Sequence, residues 1–146
     1  MAGPSPANDH LGVGRIRVTH PIHHITLSVS NVDSSVAWYQ ALFGPAEIVQ
    51  REGEGWRRTR MTWPERNNFR IGVMSHDAAP LAGFSHLNRG LDHIGYDCAT
   101  LDEVTAWTAK LDDLGFEHGP IEDVPYAWAV TARDPDNIPI EFFCAK

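Results

Sequence analysis

The feature that most constrains this chain is that it is written twice. His24-Ile25 recurs as His93-Ile94, an offset of 69 residues between positions 24 and 93. At that offset Asp33 falls on Asp102, Ala37 on Ala106 and Trp38 on Trp107. Farther on, Ile71-Gly72-Val73 falls on Ile140-Glu141-Phe142. The identities are few, but they hold one register across two stretches. Self-similarity at a fixed spacing means two copies of one supersecondary unit that bury their apolar faces together. A chain of 146 residues is one domain with one core, here made of two fused halves.

Each copy spells the same elements. In residues 22–30, Ile25, Leu27 and Val29 alternate with His24, Thr26 and Ser28, which predicts a strand with one apolar and one polar face. Asn31 can cap a helix whose apolar face is Val32, Val36, Tyr39 and Phe43, ended by Gly44-Pro45. Strands are expected at 46–51, 57–63 and 69–75, separated by turn-forming residues. The second copy opens with a strand at 91–97. Thr100-Leu101-Asp102-Glu103 is a capping box, followed by an apolar face of Leu101, Val104, Trp107, Leu111 and Leu114. Strands are expected at 116–122, 126–133 and 138–144, with Asp134-Pro135-Asp136-Asn137 turning between the last two. The fold class is therefore α+β, with two βαβββ modules. Residues 20–146 form a single domain: module one at 20–75, a linker or site flap at 76–90, and module two at 91–146. Residues 1–19 read as a mobile arm, rich in Pro, Gly and Ala. Within that arm, residues 15–18 alternate as a short extra edge strand, or a lead-in to the first repeat strand, would.

Strand parity and the repeat put His24, His93 and Glu141 on the same kind of face, the one away from the helices. If the helix-free faces curl towards each other, two imidazoles and one carboxylate converge. That set holds a divalent ion such as Fe(II) or Mn(II) and leaves about three octahedral positions open for water or substrate. Three protein ligands and an open site also describe catalytic zinc. Singly, each residue has an ordinary reading, a hydrogen-bonded strand histidine or a carboxylate paired with arginine. Only the repeat-related placement lifts the metal reading above it. By parity His23 should face the helix layer or solvent. His10 and His20 read as residues in or near the arm, His76 and His86 as loop residues, and His118 as part of a polar strand end. The same parity places Thr26, Ser28, Arg70, Met74, Gly95, Asp97 and Phe143 in the lining of the site. Of these Thr26, Arg70, Met74 and Phe143 are the substrate-binding candidates, and Arg70 would suit a carboxylate or phosphate.

Charge narrows the partners. Twelve basic against 19 acidic residues give a formal net charge of −7, which argues against nucleic acid and anionic membrane surfaces. No apolar run approaches the roughly 20 residues that span a bilayer. The N-terminus has no basic n-region or apolar h-region, and the two cysteines, Cys98 and Cys144, make no metal or disulfide spacing. The expected setting is cytoplasmic, with free thiols and a small-molecule substrate.

The motifs His24-Ile-Thr-Leu-Ser-Val-Ser-Asn31, Ser35-Val-Ala-Trp-Tyr39 and Leu42-Phe-Gly44 resemble the opening of the vicinal oxygen chelate superfamily. Leu91-Asp-His-Ile-Gly-Tyr96 and Asp134-Pro-Asp-Asn-Ile-Pro-Ile-Glu141 resemble its second-module motifs. That superfamily includes glyoxalase I, bleomycin-resistance proteins, extradiol dioxygenases, methylmalonyl-CoA epimerase and fosfomycin-resistance enzymes. The resemblance covers about residues 20–145. It implies an open, cup-shaped barrel around one divalent metal ion (Fe, Mn, Ni or Zn) and carries metal roles onto His24, His93 and Glu141. The fourth family position, often Glu or Gln in glyoxalases and epimerases, falls on Gly72, which can neither ligate nor move a proton. The remaining His, His, Glu pattern is shared with extradiol dioxygenases and fosfomycin thiol transferases. The dioxygenase tyrosine falls on Thr131, while the transferase threonine is matched by Thr26. The expectation is a metal-dependent enzyme binding a bidentate oxygen substrate, with a dioxygenase-type centre slightly ahead of a glyoxalase-like lyase or isomerase. A non-catalytic small-molecule binding or antibiotic resistance protein is the third reading. A homodimer is expected, with the site built within one chain or across two.

Overall fold

The computed structural model describes residues 22–79 and 82–146. The expected arm at 1–19, the short strand at 15–18, His10, His20 and two linker residues, 80 and 81, lie outside the described residues.

Module one runs β1 (Ile25–Ser28), α1 (Val32–Phe43), β2 (Glu47–Gly53), β3 (Trp56–Trp63), a single 3₁₀ turn (Pro64–Arg66) and β4 (Phe69–His76). Module two repeats the order with β5 (Ile94–Asp97), α2 (Leu101–Leu114), β6 (Glu122–Val124), β7 (Ala127–Arg133) and β8 (Pro139–Ala145). The sheets are ordered β1-β4-β3-β2 and β5-β8-β7-β6, open and separate. The two-module α+β architecture is as the repeat predicted, and the register agrees residue for residue. Ile25 pairs with Ile71 in a parallel ladder, and 69 positions on Ile94 pairs with Ile140.

The helices start where short polar side chains can take up free backbone donors. Asn31 Oδ1 accepts from Ser34 N at 2.9 Å, and Thr100 Oγ1 accepts from Glu103 N. Glu103 Oε2 in return accepts from the N–H of Ala99, the residue before the cap, at 2.7 Å. Gly115 ends α2 in the left-handed region at φ 67°, where a β-carbon would be strained.

The third strand of module two differs from expectation. Residues 116–122 were expected as a strand, but the strand is Glu122–Val124, and upstream of it only a single bridge joins His118 to Ala132. Phe116 is drawn away to stack on Trp38 of α1, with ring centroids 4.9 Å apart. Tyr126, expected to open the next strand, is exposed in the turn before it.

One core serves both modules. Trp38, Tyr39, Leu42 and Phe43 of α1 are buried, and the Phe43 ring lies within 6.3 Å of Tyr96, Trp107 and Phe142 of module two. Phe69 of β4 meets Tyr96 of β5 edge-on at 5.3 Å. Two polar links cross the same seam. The Tyr39 hydroxyl donates to Asp134 Oδ2 at 2.9 Å, and Ser30 N donates to Asp136 Oδ1 at 2.9 Å. Burial holds the Asp134 carboxyl above its ordinary pKa and pushes Tyr39 upward too. The modules thus meet through their helix-covered faces, and the helix-free faces point outward. No helix among the described residues is long and apolar enough to cross a membrane.

Candidate metal centre

His24 and His93 occupy the residue just before β1 and β5, the short edge strands. Each of these strands is paired on one side only, with β4 or β8. In module two, Gly95 lies opposite Glu141. Gly95 has no side chain, so the Glu141 carboxylate leans over it, with Oε2 3.5 Å from where a β-carbon would stand. That brings Glu141 Oε2 to 3.6 Å from His93 Nε2. The distance is too long for a hydrogen bond. The other nitrogen, Nδ1, donates to Asp92 Oδ1 at 2.7 Å, which leaves Nε2 as the lone-pair atom of the neutral ring.

A lone pair facing a carboxylate across 3.6 Å, with the far nitrogen anchored on a second carboxylate, is a donor arrangement that fits a divalent ion. The hydrogen bond from His93, first among the causes, holds the Asp92 carboxyl below the usual carboxylate range. Asp92 was not singled out from the sequence. Its only signal was adjacency to a candidate ligand.

In module one the same pair is inverted. Thr26 lies opposite Gly72, and a β-carbon on Gly72 would stand 2.6 Å from Thr26 Oγ1. Each module has one side chain and one glycine at this crossing, on opposite strands. The missing ligand at position 72 is therefore a filled space, not a hole.

His24 sits apart from His93 and Glu141. Among the described residues no group of three His, Cys, Asp or Glu side chains is close enough to hold a metal ion. The expected three-residue set is thus brought together only in part, as His93 with Glu141. His24 instead meets His23, Nδ1 to Nδ1 at 2.8 Å, and both line a cleft of about 920 Å³ with Arg70, Phe69 and Asn68. His23 is exposed, yet it shares the cleft of His24, because strand alternation begins only at Ile25. The Arg70 guanidinium, more than any other group, lowers the pKa of His23.

The four substrate-binding candidates divide between the two outer faces. Arg70 opens into the His24 cleft. Thr26 and Ser28 line a groove with Phe84 and Asn88 of the linker, which runs beside β1. Met74 is half-buried opposite Ser28. Phe143 shares a shallow groove with Glu141 and Asp97 on the second sheet. His118, read as part of a polar strand end, is tied to Asp112 Oδ1 at 3.0 Å and to the Gly119 carbonyl.

The family model described as Glyoxalase/Bleomycin resistance protein/Dioxygenase superfamily matches residues 21–142. A search of the curated proteins gave no match. Among solved structures, a glyoxylase/bleomycin resistance protein/dioxygenase domain from Frankia sp. EAN1pec is similar at 24% identity and a TM-score of 0.77, covering 87% of this chain and 93% of that one. The fosfomycin resistance protein FosX from Listeria monocytogenes, in complex with Mn(II) and sulfate, is similar at 20% identity and a TM-score of 0.62, covering 86% of this chain and 93% of that one. The match over residues 21–142 and the paired modules agree: this chain belongs to the Glyoxalase/Bleomycin resistance protein/Dioxygenase superfamily.

Proposed function

We propose that this protein is a metal-dependent enzyme that binds a small substrate through two oxygens at a divalent ion. The ion would be held by His93 and Glu141 of one chain and His24 of a second copy. The observation that carries the reading is the His93–Glu141 pair, Nε2 to Oε2 at 3.6 Å, with His93 Nδ1 anchored on Asp92. The two-copy assembly is supported by the outward direction of both helix-free faces. Within one chain His24 and His93 stand on different surfaces, and a twofold pair supplies both halves twice. When bound, the metal supplies a Lewis acid for substrate oxygens or, if it is iron, an oxygen-activating centre.

This chain's own residues orient and tune. Asp92 fixes the His93 tautomer. Glu141 supplies the only carboxylate at the Gly72/Glu141 pair of repeat positions, so fewer metal positions would be taken by protein and more would be open to a bidentate substrate. Gly72 and Thr26 offer no carboxylate for moving a proton beside a carbonyl. That favours an oxygenase-type reaction over isomerisation. A glyoxalase-like lyase or isomerase reaction, in which some other group replaces the missing base, is the second reading. The similar FosX structure, which carries Mn(II), supports a divalent metal for either reading. The two buried free cysteines suit a reducing, cytoplasmic setting.

The test is anaerobic titration of metal-free protein with Fe(II), Mn(II), Ni(II) and Zn(II), then addition of a catechol. Near one metal per chain, with a catechol-dependent charge-transfer band and oxygen uptake once air is admitted, supports the oxygenase. Tight Mn(II) or Ni(II) with no catechol response moves the assignment to the second reading. Absence of uptake of any of the four ions overturns the metal-enzyme reading in favour of a binding protein.

A further inference from the structure

The helix-free face of the first sheet carries a concentration of arginine that the metal centre does not use. In β3, Thr59, Met61 and Trp63 are buried under α1, so Arg58 and Arg60 project to the opposite side. In β4, Ile71 and Val73 are buried in the core, so Arg70, Gly72 and Met74 project the same way. The register sets these side chains in adjacent rows. Arg58 lies opposite Met74, Arg60 opposite Gly72 and Arg70 opposite Thr62. Arg51 of the exposed edge strand β2 lies opposite Arg58 and adds a fourth cation.

Other arginines show what structural use looks like here. Arg57 is in the other phase and grips Asp33 of α1 with both terminal nitrogens, at 2.6 and 2.9 Å. Arg66 donates to the Phe43 carbonyl and lies over the Phe43 and Trp107 rings. Among the described residues no carboxylate pairs with Arg51, Arg58, Arg60 or Arg70. The Nε of Arg60 is buried with no hydrogen-bond partner. A buried guanidinium donor without an acceptor is costly and calls for one. In a chain of formal net charge −7, four unpaired cations on one sheet face are not a general surface property.

We propose that this face is an anion-binding wall, where Arg58, Arg60 and Arg70 receive a substrate group bearing two negative charges. Guanidinium forks suit planar and tetrahedral oxyanions alike. Several forks without a countercharge favour a dianion over a single carboxylate. Gly72, opposite Arg60, adds no side chain of its own to this face, and the Thr26 hydroxyl beside it offers a further hydrogen-bond donor to an oxyanion. Arg70 opens into the same cleft as His24, so an anion held there lies next to a candidate metal ligand. That this group belongs to the substrate rests on the metal-enzyme reading. The anion site itself needs no metal.

The test uses the metal-free 146-residue chain and three probes, inorganic phosphate, malonate and acetate, at constant ionic strength. Binding is followed by calorimetry and by the ¹⁵N shift of the Arg60 Nε–H. Phosphate or malonate should bind with the Arg60 signal moving, and acetate should bind more weakly. Arg60→Met and Arg70→Met should each weaken the dianion about tenfold or more, as loss of a charged hydrogen bond requires. Lys110→Met, which removes one charge on α2, should leave it unchanged. Arg60→Lys and Arg70→Lys keep the charge and lose the fork, and should fall between. Preference for phosphate assigns a phosphoryl-type group, and preference for malonate a dicarboxylate. Equal binding by the wild type and the arginine variants overturns the proposal, as does a response to acetate as strong as to the dianions. Metal uptake is measured on the same preparations. Anion binding without metal uptake removes only the metal-enzyme reading, and metal uptake without anion binding removes only the wall.

Discussion

At the scale of single residues, the His93 side chain is oriented from two sides. Asp92 anchors one nitrogen and the other faces Glu141. His93→Ala should abolish metal uptake without unfolding the protein. Asp92→Asn should keep the ligand and lower metal affinity by about 10- to 100-fold, the usual effect of losing such an orienting partner. Competition against a chelator, with circular dichroism as the folding control, checks both. The glycine facing Thr26 makes a second residue-scale statement. Gly72→Ala drives a β-carbon into Thr26 Oγ1 and should cost about 1–3 kcal/mol. In a Thr26→Gly background the same change should be nearly neutral, and a double-mutant cycle in denaturant measures the coupling. Some of this was legible in the sequence. His93 and Glu141 came from parity and the repeat. Asp92 did not, because a hydrogen bond to an adjacent side chain leaves no periodic trace. Nor did the position of His23, because alternation says nothing about residues ahead of the strand.

At the scale of elements, the hydrophobic phase fixed nearly everything that the 69-residue offset implied. The parallel pairs Ile25 with Ile71 and Ile94 with Ile140 hold that phase, since a slip of one residue would turn each apolar set outward. The region after α2 was misread because an aromatic there satisfies the other module's helix and not its own sheet. That region also carries a titratable link. His118 donates to Asp112 at the end of α2, and this bond, first among the causes, raises the His118 pKa above its ordinary 6.5. A raised folded value means that the stabilisation is fully present below pH 6.5 and is lost as pH rises through the folded pKa. The melting-temperature gap between wild type and His118→Ala should therefore be widest on the acidic side of about pH 6.5 and close above the folded value. A gap independent of pH would remove this bond from the account.

At the scale of the whole molecule, the repeat announced two modules but not how they are joined. That depends on which side chains fill the seam, here Phe43, Tyr96, Trp107 and Phe142 with the buried Tyr39–Asp134 bond. Joining them back to back separates His24 from His93, and the assembly becomes testable by mixing. His24→Ala and His93→Ala homodimers should each lack metal. If the two exchange chains at random, half the dimers are mixed and each mixed dimer regains one of two sites, so about a quarter of wild-type metal returns. A centre confined to one chain would regain none. Metal analysis of the co-expressed pair reads the outcome.

The inverted crossing of Thr26 with Gly72 and Gly95 with Glu141 also bears on how such a protein can change. The crossing in the first sheet is filled by Thr26, so a carboxylate at position 72 carries a packing cost for as long as Thr26 stays. The route without that cost makes position 26 small first, through an intermediate in which the first sheet has an empty crossing. The order of substitutions is thereby set by volume before chemistry can act on them. A line of descent that has placed its bulk on the outer strand meets a packing cost before it can gain a carboxylate at position 72. Thr26→Gly followed by Gly72→Glu is the path that would lead away from it.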